Sequence, residues 1–150
     1  MLDKFLSRFD KKAEAPAPDE TAALETAVAA LFVEAARADE TYDDREKTII
    51  DQSLAAMFSL SAADADALRL KGETAQAEAS DIQRFTRIAK EMPQNEKVDL
   101  IERLWTIILS DGARCPFEDT LVRRICGLIY VDDRVSGEAR ARAEAKLLKG

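Results

Sequence analysis

Histidine is absent from this 150-residue sequence, and cysteine occurs only at Cys115 and Cys126. The absence of histidine excludes a Ser-His-Asp triad, a Cys-His nucleophile pair and a His-ligated zinc site. The two cysteines fit neither a paired zinc motif nor a disulfide framework, and free thiols are typical of a reducing compartment. No apolar run reaches the roughly 18 residues that a membrane span needs, and the N-terminus lacks the features of a secretory signal. These absences predict a cytoplasmic protein.

Glycine and proline are also scarce, with five and four residues, while strong helix formers dominate the composition. No segment alternates between apolar and polar residues, so no β-sheet is predicted. Acidic residues outnumber basic ones by 29 to 22, which gives a net charge of −7. Nucleic-acid binding requires clustered positive charge, so we expect no nucleic-acid partner. The composition therefore predicts an acidic, all-α protein.

Residues 1–19 are predicted to precede the folded domain, which would cover residues 20–150. Residues 2–9 form an amphipathic pattern at helical spacing, and residues 10–19 have the composition of a linker. The apolar face of this pattern consists of Leu2, Phe5, Leu6 and Phe9. Such a face can contact a protein partner or the inner membrane surface, and it can equally fold back on its own domain.

Seven helices are predicted in the domain from apolar periodicity and capping signals. They start near residues 19, 43, 62, 81, 93, 116 and 136. The third is polar and rich in alanine, which favours a position on the outside. The fifth is apolar nearly all round, which favours a central, buried position. The seventh offers only Ala139, Ala143 and Leu147 to the core.

The sequence contains an internal repeat, in which residues 31–50 align with residues 103–122. Each copy reads as an apolar helix, an acidic turn and a second apolar helix. The matched acidic residues are Asp39 with Asp111, and Glu46 with Glu118. Two such copies predict two pseudo-symmetric halves.

The chain resembles the bacterial TerB-like tellurite-resistance family over about residues 20–131. The resemblance lies in the stretches LFVEAARADE, DIQRFTRIAKEM, ERLWTIILSDG and FEDTLVRRICGLIYV. It implies a seven-helix, two-half bundle, a link to tellurite resistance or stress response, and a divalent cation at the acidic turns. A similar module forms the N-terminal domain of a membrane-anchored DnaJ-type co-chaperone. The chain departs from the family pattern at Glu40, where glycine is common.

The candidate cation ligands are the four acids of the repeat, with Glu34 and Glu102 as further candidates because each lies on a largely apolar helix. The four are Asp39, Glu46, Asp111 and Glu118. Calcium or magnesium is the expected ion, since hard cations prefer carboxylate and carbonyl oxygens. The spacing is too short for an EF-hand loop. Helix capping explains the same residues, because Glu46 and Glu118 each fall on the third position of a helix.

Two functions therefore stay open. The first is a non-enzymatic module that binds or senses a divalent cation. The second is an interaction scaffold without metal, which contacts an unidentified protein or a membrane surface through residues 2–9 or its acidic surface. An enzyme is disfavoured because the sequence has neither histidine nor a nucleotide-binding motif.

Overall fold

The computed structural model describes residues 18–38, 42–110 and 116–149, without the side chains of residues 116–118. These residues form seven α-helices and no β-strand, so the all-α prediction is confirmed for them. In chain order the helices are α1 (Pro18–Arg37), α2 (Asp44–Phe58), α3 (Ala62–Glu78), α4 (Gln83–Ala89), α5 (Gln94–Leu109), α6 (Pro116–Ile129) and α7 (Asp133–Lys149). Residues 2–9 lie outside the described part, so the division of the chain at residue 19 stays a prediction.

Helix α1 lies at the centre of the bundle and packs against α2, α3, α4, α5 and α6. Residues 27–33 are buried without interruption, which places alanine, valine, leucine and phenylalanine on every side of the helix. Helix α5 was expected to be central and shares the core with α1. Its fully buried side chains include Leu100, Ile101, Leu104 and Ile107.

The prediction that α3 lies outside the bundle is wrong. Ala65 and Leu68 are buried, and α3 packs more extensively on α1 than on any other helix. At Gly72 the two helices are so close that an added Cβ would lie 2.6 Å from the Cβ of Ala29 and 2.8 Å from its carbonyl carbon. Small side chains permit this close approach. The alanine-rich composition that suggested exposure is therefore a packing surface.

Two halves, α1–α3 and α5–α7, follow the same packing order. In each half the first helix packs most extensively on the third. The second helix of each half ends at a residue in the left-handed conformation, Ser59 with φ 56° and Tyr130 with φ 66°. The next N–H then donates to the carbonyl oxygen five residues earlier, at 3.0 and 2.9 Å, as in a common helix-terminating motif. These shared features support the predicted two-half architecture.

The repeat extends past the acidic turns into the third helix of each half. Three buried positions of α3 have buried counterparts in α7 at one constant sequence offset. The pairs are Ala65 with Ser136, Leu68 with Ala139, and Gly72 with Ala143. This offset is one position shorter than the offset at the turns, because α6 has 14 residues whereas α2 has 15.

Helix α7 begins at Asp133, three residues before its predicted start. Ala139 and Ala143 are buried, as the sequence predicted. The prediction that Leu147 points inward is wrong, since its side chain is 37% exposed. All residues from 144 to 149 are exposed, so the end of α7 extends beyond the core.

Candidate functional site

The four predicted cation ligands fall mostly on parts of the chain that the structure does not describe. Asp39 and Asp111 lie outside the described residues, as does the side chain of Glu118. Glu46 is described, and it is 2% exposed in the first turn of α2. Within residues 18–38, 42–110 and 119–149, no group of three or more acidic or cysteine side chains is arranged to hold a metal ion. The cation site at the turns therefore stays a prediction.

Glu46 forms a capping box with Asp43 at the start of α2. The N–H of Glu46 donates to Asp43 Oδ1 at 3.0 Å, and the N–H of Asp43 donates to Glu46 Oε1 at 3.2 Å. These bonds satisfy two backbone donors that the first turn of a helix leaves without partners. The capping interpretation is therefore confirmed for Glu46, which holds a buried carboxylate directly after the turn between α1 and α2.

Glu102, a further candidate ligand, is paired with two cations of α7. Its Oε1 accepts from Arg142 Nε at 2.7 Å, and its Oε2 accepts from Lys146 Nζ at 2.6 Å. Burial acts to raise the pKa of Glu102, but the bonds from Lys146 and Arg142 outweigh it and hold the pKa below its ordinary value. The side chain is 10% exposed, and the two cations supply the partner that a buried charge on an apolar helix requires. This carboxylate ties α5 to α7.

Glu34, the other further candidate, is bonded to α3. Its Oε1 accepts from Gln76 Nε2 at 2.7 Å, and the side-chain oxygen of Gln76 accepts from Arg37. Glu34 also lines a cleft of about 190 Å³ together with Asp81 and Arg124. The cleft brings one guanidinium together with two carboxylates, so its charge is mixed.

The sequence analysis did not predict a partly buried ionic cluster that is centred on Arg69 of α3. We call Arg69, Asp51, Asp66, Glu73 and Tyr42 the Arg69 cluster. Arg69 Nε donates to Asp51 Oδ1 at 2.7 Å, its Nη1 donates to Glu73 Oε2 at 2.6 Å, and its Nη2 donates to Asp66. The hydroxyl of Tyr42 donates to Glu73 Oε2 at 2.6 Å. The cluster thus joins α2, α3 and the residue that precedes the cap of α2.

The pKa values in this cluster are shifted by burial and by the shared hydrogen bonds. Burial raises the pKa of Asp51 despite the bond from Arg69. Burial also acts to raise the pKa of Glu73, but the bonds from Tyr42 and Arg69 outweigh it and lower the pKa. Burial, followed by the neighbouring Glu73, raises the pKa of Tyr42 well above its ordinary value. Tyr42 therefore stays a hydrogen-bond donor at neutral pH.

Arg140 of α7 is the counterpart of Arg69, at the same offset that relates the buried positions of α3 and α7. Its guanidinium lies 4.9 Å from the ring centroid of Trp105, and its Nε lies 3.4 Å from a carboxylate oxygen of Glu144. The Trp105 indole N–H donates to Ser136 Oγ at 3.1 Å. A cleft of about 170 Å³ opens beside these residues. Its lining consists of Trp105, Asp119, Arg123, Asp133, Ser136, Gly137 and Arg140.

The described fold is an all-α bundle of two related halves, with partly buried ionic clusters between its helices. The family model described as "Tellurite resistance protein TerB" matches residues 25–141, more than three quarters of the chain. The match reaches from α1 into α7, and the chain belongs to the TerB family. No curated protein and no solved structure matches the chain. None of the helices in the described residues is long and apolar enough to cross a membrane.

Proposed function

We propose that this TerB-family chain is a non-enzymatic module of a tellurite-resistance or stress response that binds a divalent cation at its two acidic turns. The observation that supports this is the equivalence of the two halves. The turn between α1 and α2 and the turn between α5 and α6 each connect the first and second helices of a half. Both carry an aspartate followed seven residues later by a glutamate. The net charge of −7 favours cations over anions as ligands of the molecule as a whole.

The contacts of the described carboxylates narrow the proposed ligand set. Glu102 is neutralised by Arg142 and Lys146, and Glu34 is bonded to Gln76. Unlike Glu46, neither has an acidic counterpart in the other half, so we omit both from the site. The remaining ligands are Asp39, Glu46, Asp111 and Glu118. Their oxygen donors suit calcium or magnesium better than a softer metal. The cytoplasm is the proposed location, which agrees with the free, buried thiol of Cys126.

Thermal unfolding tests this proposal. The full chain is stripped with a chelator and then unfolded with calcium, magnesium, manganese or zinc. If one ion is present at about 100 times its dissociation constant, mass action should raise the melting temperature by about 5–10 °C. The double variant Asp39→Asn/Asp111→Asn should lose this rise.

The matched control is Asp19→Asn/Asp64→Asn, which removes the same charge at exposed positions in the first turns of α1 and α3. This control should respond to the ion like the wild type. If no ion shifts the wild type, or if the control loses the response as well, the acids of the turns are helix caps and the cation proposal fails.

An interaction scaffold is the second candidate, and apolar exposure at the end of α7 favours it. Leu148 is 87% exposed and Leu147 is 37% exposed. With the predicted face of residues 2–9, these side chains offer apolar surface to a protein or to the inner membrane surface. Co-sedimentation with anionic vesicles should then be lost in Phe5→Ser/Phe9→Ser. Unchanged sedimentation of this variant would remove residues 2–9 as the membrane contact.

A further inference from the structure

The Arg69 cluster is only partly repeated in the second half of the chain. Glu73 has an acidic counterpart, but the other two acids do not. The position equivalent to Asp66 is Gly137 in α7, at the offset that relates Arg69 to Arg140. The position equivalent to Asp51 is Arg123 in α6, at the offset that relates the two acidic turns. One carboxylate of the first half is thus replaced by a hydrogen atom, and another by a positive charge.

Arg140 is consequently less neutralised than Arg69. Its ion pair with Glu144 is 3.4 Å long, and the Glu144 side chain is 50% exposed. The three ion pairs of Arg69 are shorter, and its side chain is 10% exposed. The second guanidinium, that of Arg123, lines the same cleft as Arg140. The cleft therefore holds two arginines, whereas the first half has one arginine paired with three acids.

Gly137 leaves the space beside Arg140 open. An added Cβ at Gly137 would meet no atom within 4 Å, in contrast to Gly72. Gly137 also has no left-handed backbone that would require glycine. Glycine is unfavourable inside a helix. Neither close packing nor backbone conformation explains why glycine occupies position 137. Its effect is to keep empty the volume that the side chain of Asp66 occupies in the first half.

Two acids also line the cleft, and they restrict the ligand. Asp119 already interacts within the protein. Asp133 lies in the first turn of α7, where an acid is stabilised by the helix dipole. A polyanion would be repelled by both. A ligand that presents one compact anionic group to the arginines would be repelled least.

We propose that this cleft binds a single carboxylate, which pairs with Arg140 and Arg123 in the way that the carboxylates of Asp66 and Asp51 pair with Arg69. Guanidinium groups match carboxylates in shape and bind them through paired hydrogen bonds. The cleft of about 170 Å³ accepts a small organic acid in solution or the end of an acidic side chain from a partner protein. The proposal does not depend on the cation site at the turns.

Trp105 provides the signal for the test, because it is the only tryptophan and its ring lies beside Arg140. The full chain is titrated in chelator at constant ionic strength with acetate, with chloride as the reference salt. A second arm uses a blocked peptide that carries one glutamate. The wild type should show a saturable fluorescence change with at least one of these ligands. The tighter of the two identifies the source of the carboxylate.

Gly137→Asp restores an acid three residues before Arg140, in the relation that Asp66 has to Arg69. It should weaken binding by about tenfold or more, because a fixed carboxylate then occupies the arginines. Gly137→Ala adds the Cβ without the charge, so it should weaken binding less than Gly137→Asp does. Ala77→Asp adds the same charge at an exposed position of α3 outside the cleft, and this control should bind like the wild type. Arg140→Gln should also lose binding, with circular dichroism to confirm its fold. The proposal is overturned if neither ligand gives a saturable signal, or if Gly137→Asp binds as tightly as Gly137→Ala.

Discussion

The two halves of the bundle share their helix order but neutralise buried charge in different ways. The first half surrounds Arg69 with three acids from α2 and α3. The second half joins α5 to α7 through Glu102, and leaves Arg140 beside an open cleft. Small residues at equivalent positions and left-handed helix ends recur in both halves. The packing of the helix backbones is thus similar in the two halves, whereas their ion pairs differ.

Arg69→Met should produce the largest effect, a loss of roughly 3 kcal/mol in the free energy of unfolding, because it leaves Asp51 and Glu73 partly buried without their cation. Removing the cation from a partly buried ionic cluster is costly because the remaining carboxylates lose their neutralising partner. Arg140→Met should cost less than about 1 kcal/mol, because its ion pair with Glu144 is accessible to water. Chemical denaturation measures both values. Equal losses would mean that the two arginines do not differ as their surroundings indicate.

Gly72→Ala should come next, with a loss of about 1–3 kcal/mol from overpacking between α1 and α3. The added methyl group would meet the Cβ and the backbone of Ala29, which have no flexible atoms to move aside. Gly137→Ala should instead stabilise the chain by about 0.5–1 kcal/mol, because it replaces glycine inside a helix where space is open. Melting temperatures of the two variants should therefore move in opposite directions. A neutral Gly72→Ala would contradict the close approach of these helices.

Glu102→Gln should destabilise the chain less than Arg69→Met does, with a loss of about 1 kcal/mol at pH 7, because Arg142 and Lys146 can return to water when the carboxylate is removed. Both of these side chains are substantially exposed. The pKa of Glu102 is lower in the folded protein than its ordinary value of 4.5. Its contribution is therefore complete above pH 4.5 and disappears as the pH falls through the folded value.

Denaturation of wild type and Glu102→Gln at pH 7 and pH 3 tests this dependence. The difference between the two proteins should shrink on acidification. A difference that grows as the pH falls would contradict the pairing of Glu102 with α7. The same comparison on Arg134→Gln, which removes a solvent-exposed helical ion pair, should show almost no change.

The helices and the repeat could be predicted because their signals are local. Apolar residues at helical spacing, prolines at helix starts and the Asp43–Glu46 capping box all lie within a few residues of each other. The buried position of α3 could not be predicted in the same way. Alanine and glycine give a weak amphipathic signal, although they form the face that packs on α1.

The ion pairs depend on tertiary structure, and the sequence analysis did not predict most of them. Asp51 is 18 residues from Arg69, and Arg142 is 40 residues from Glu102, so no local pattern pairs them. The spacing of Asp66, Arg69 and Glu73 along one helix was the available signal for the Arg69 cluster. The recurrence of Arg140 and Glu144 at the same spacing in α7 was the signal for its counterpart. The open space beside Gly137 is a property of packing that the sequence does not record.

The burial of α1 has a consequence for how the protein is made. During translation α1 leaves the ribosome before the helices that cover it, and α5 and α6 follow only after α2, α3 and α4 have been made. At typical synthesis rates of about 5–20 residues per second, the apolar stretch 27–33 remains without its full cover for several seconds. Such a segment is a binding site for chaperones and a risk for aggregation. Early pairing of α1 with α3 through Gly72 would shorten this exposure. Substitutions at Gly72 should therefore lower the soluble yield in cells beyond the amount that the reduced stability of the purified protein explains.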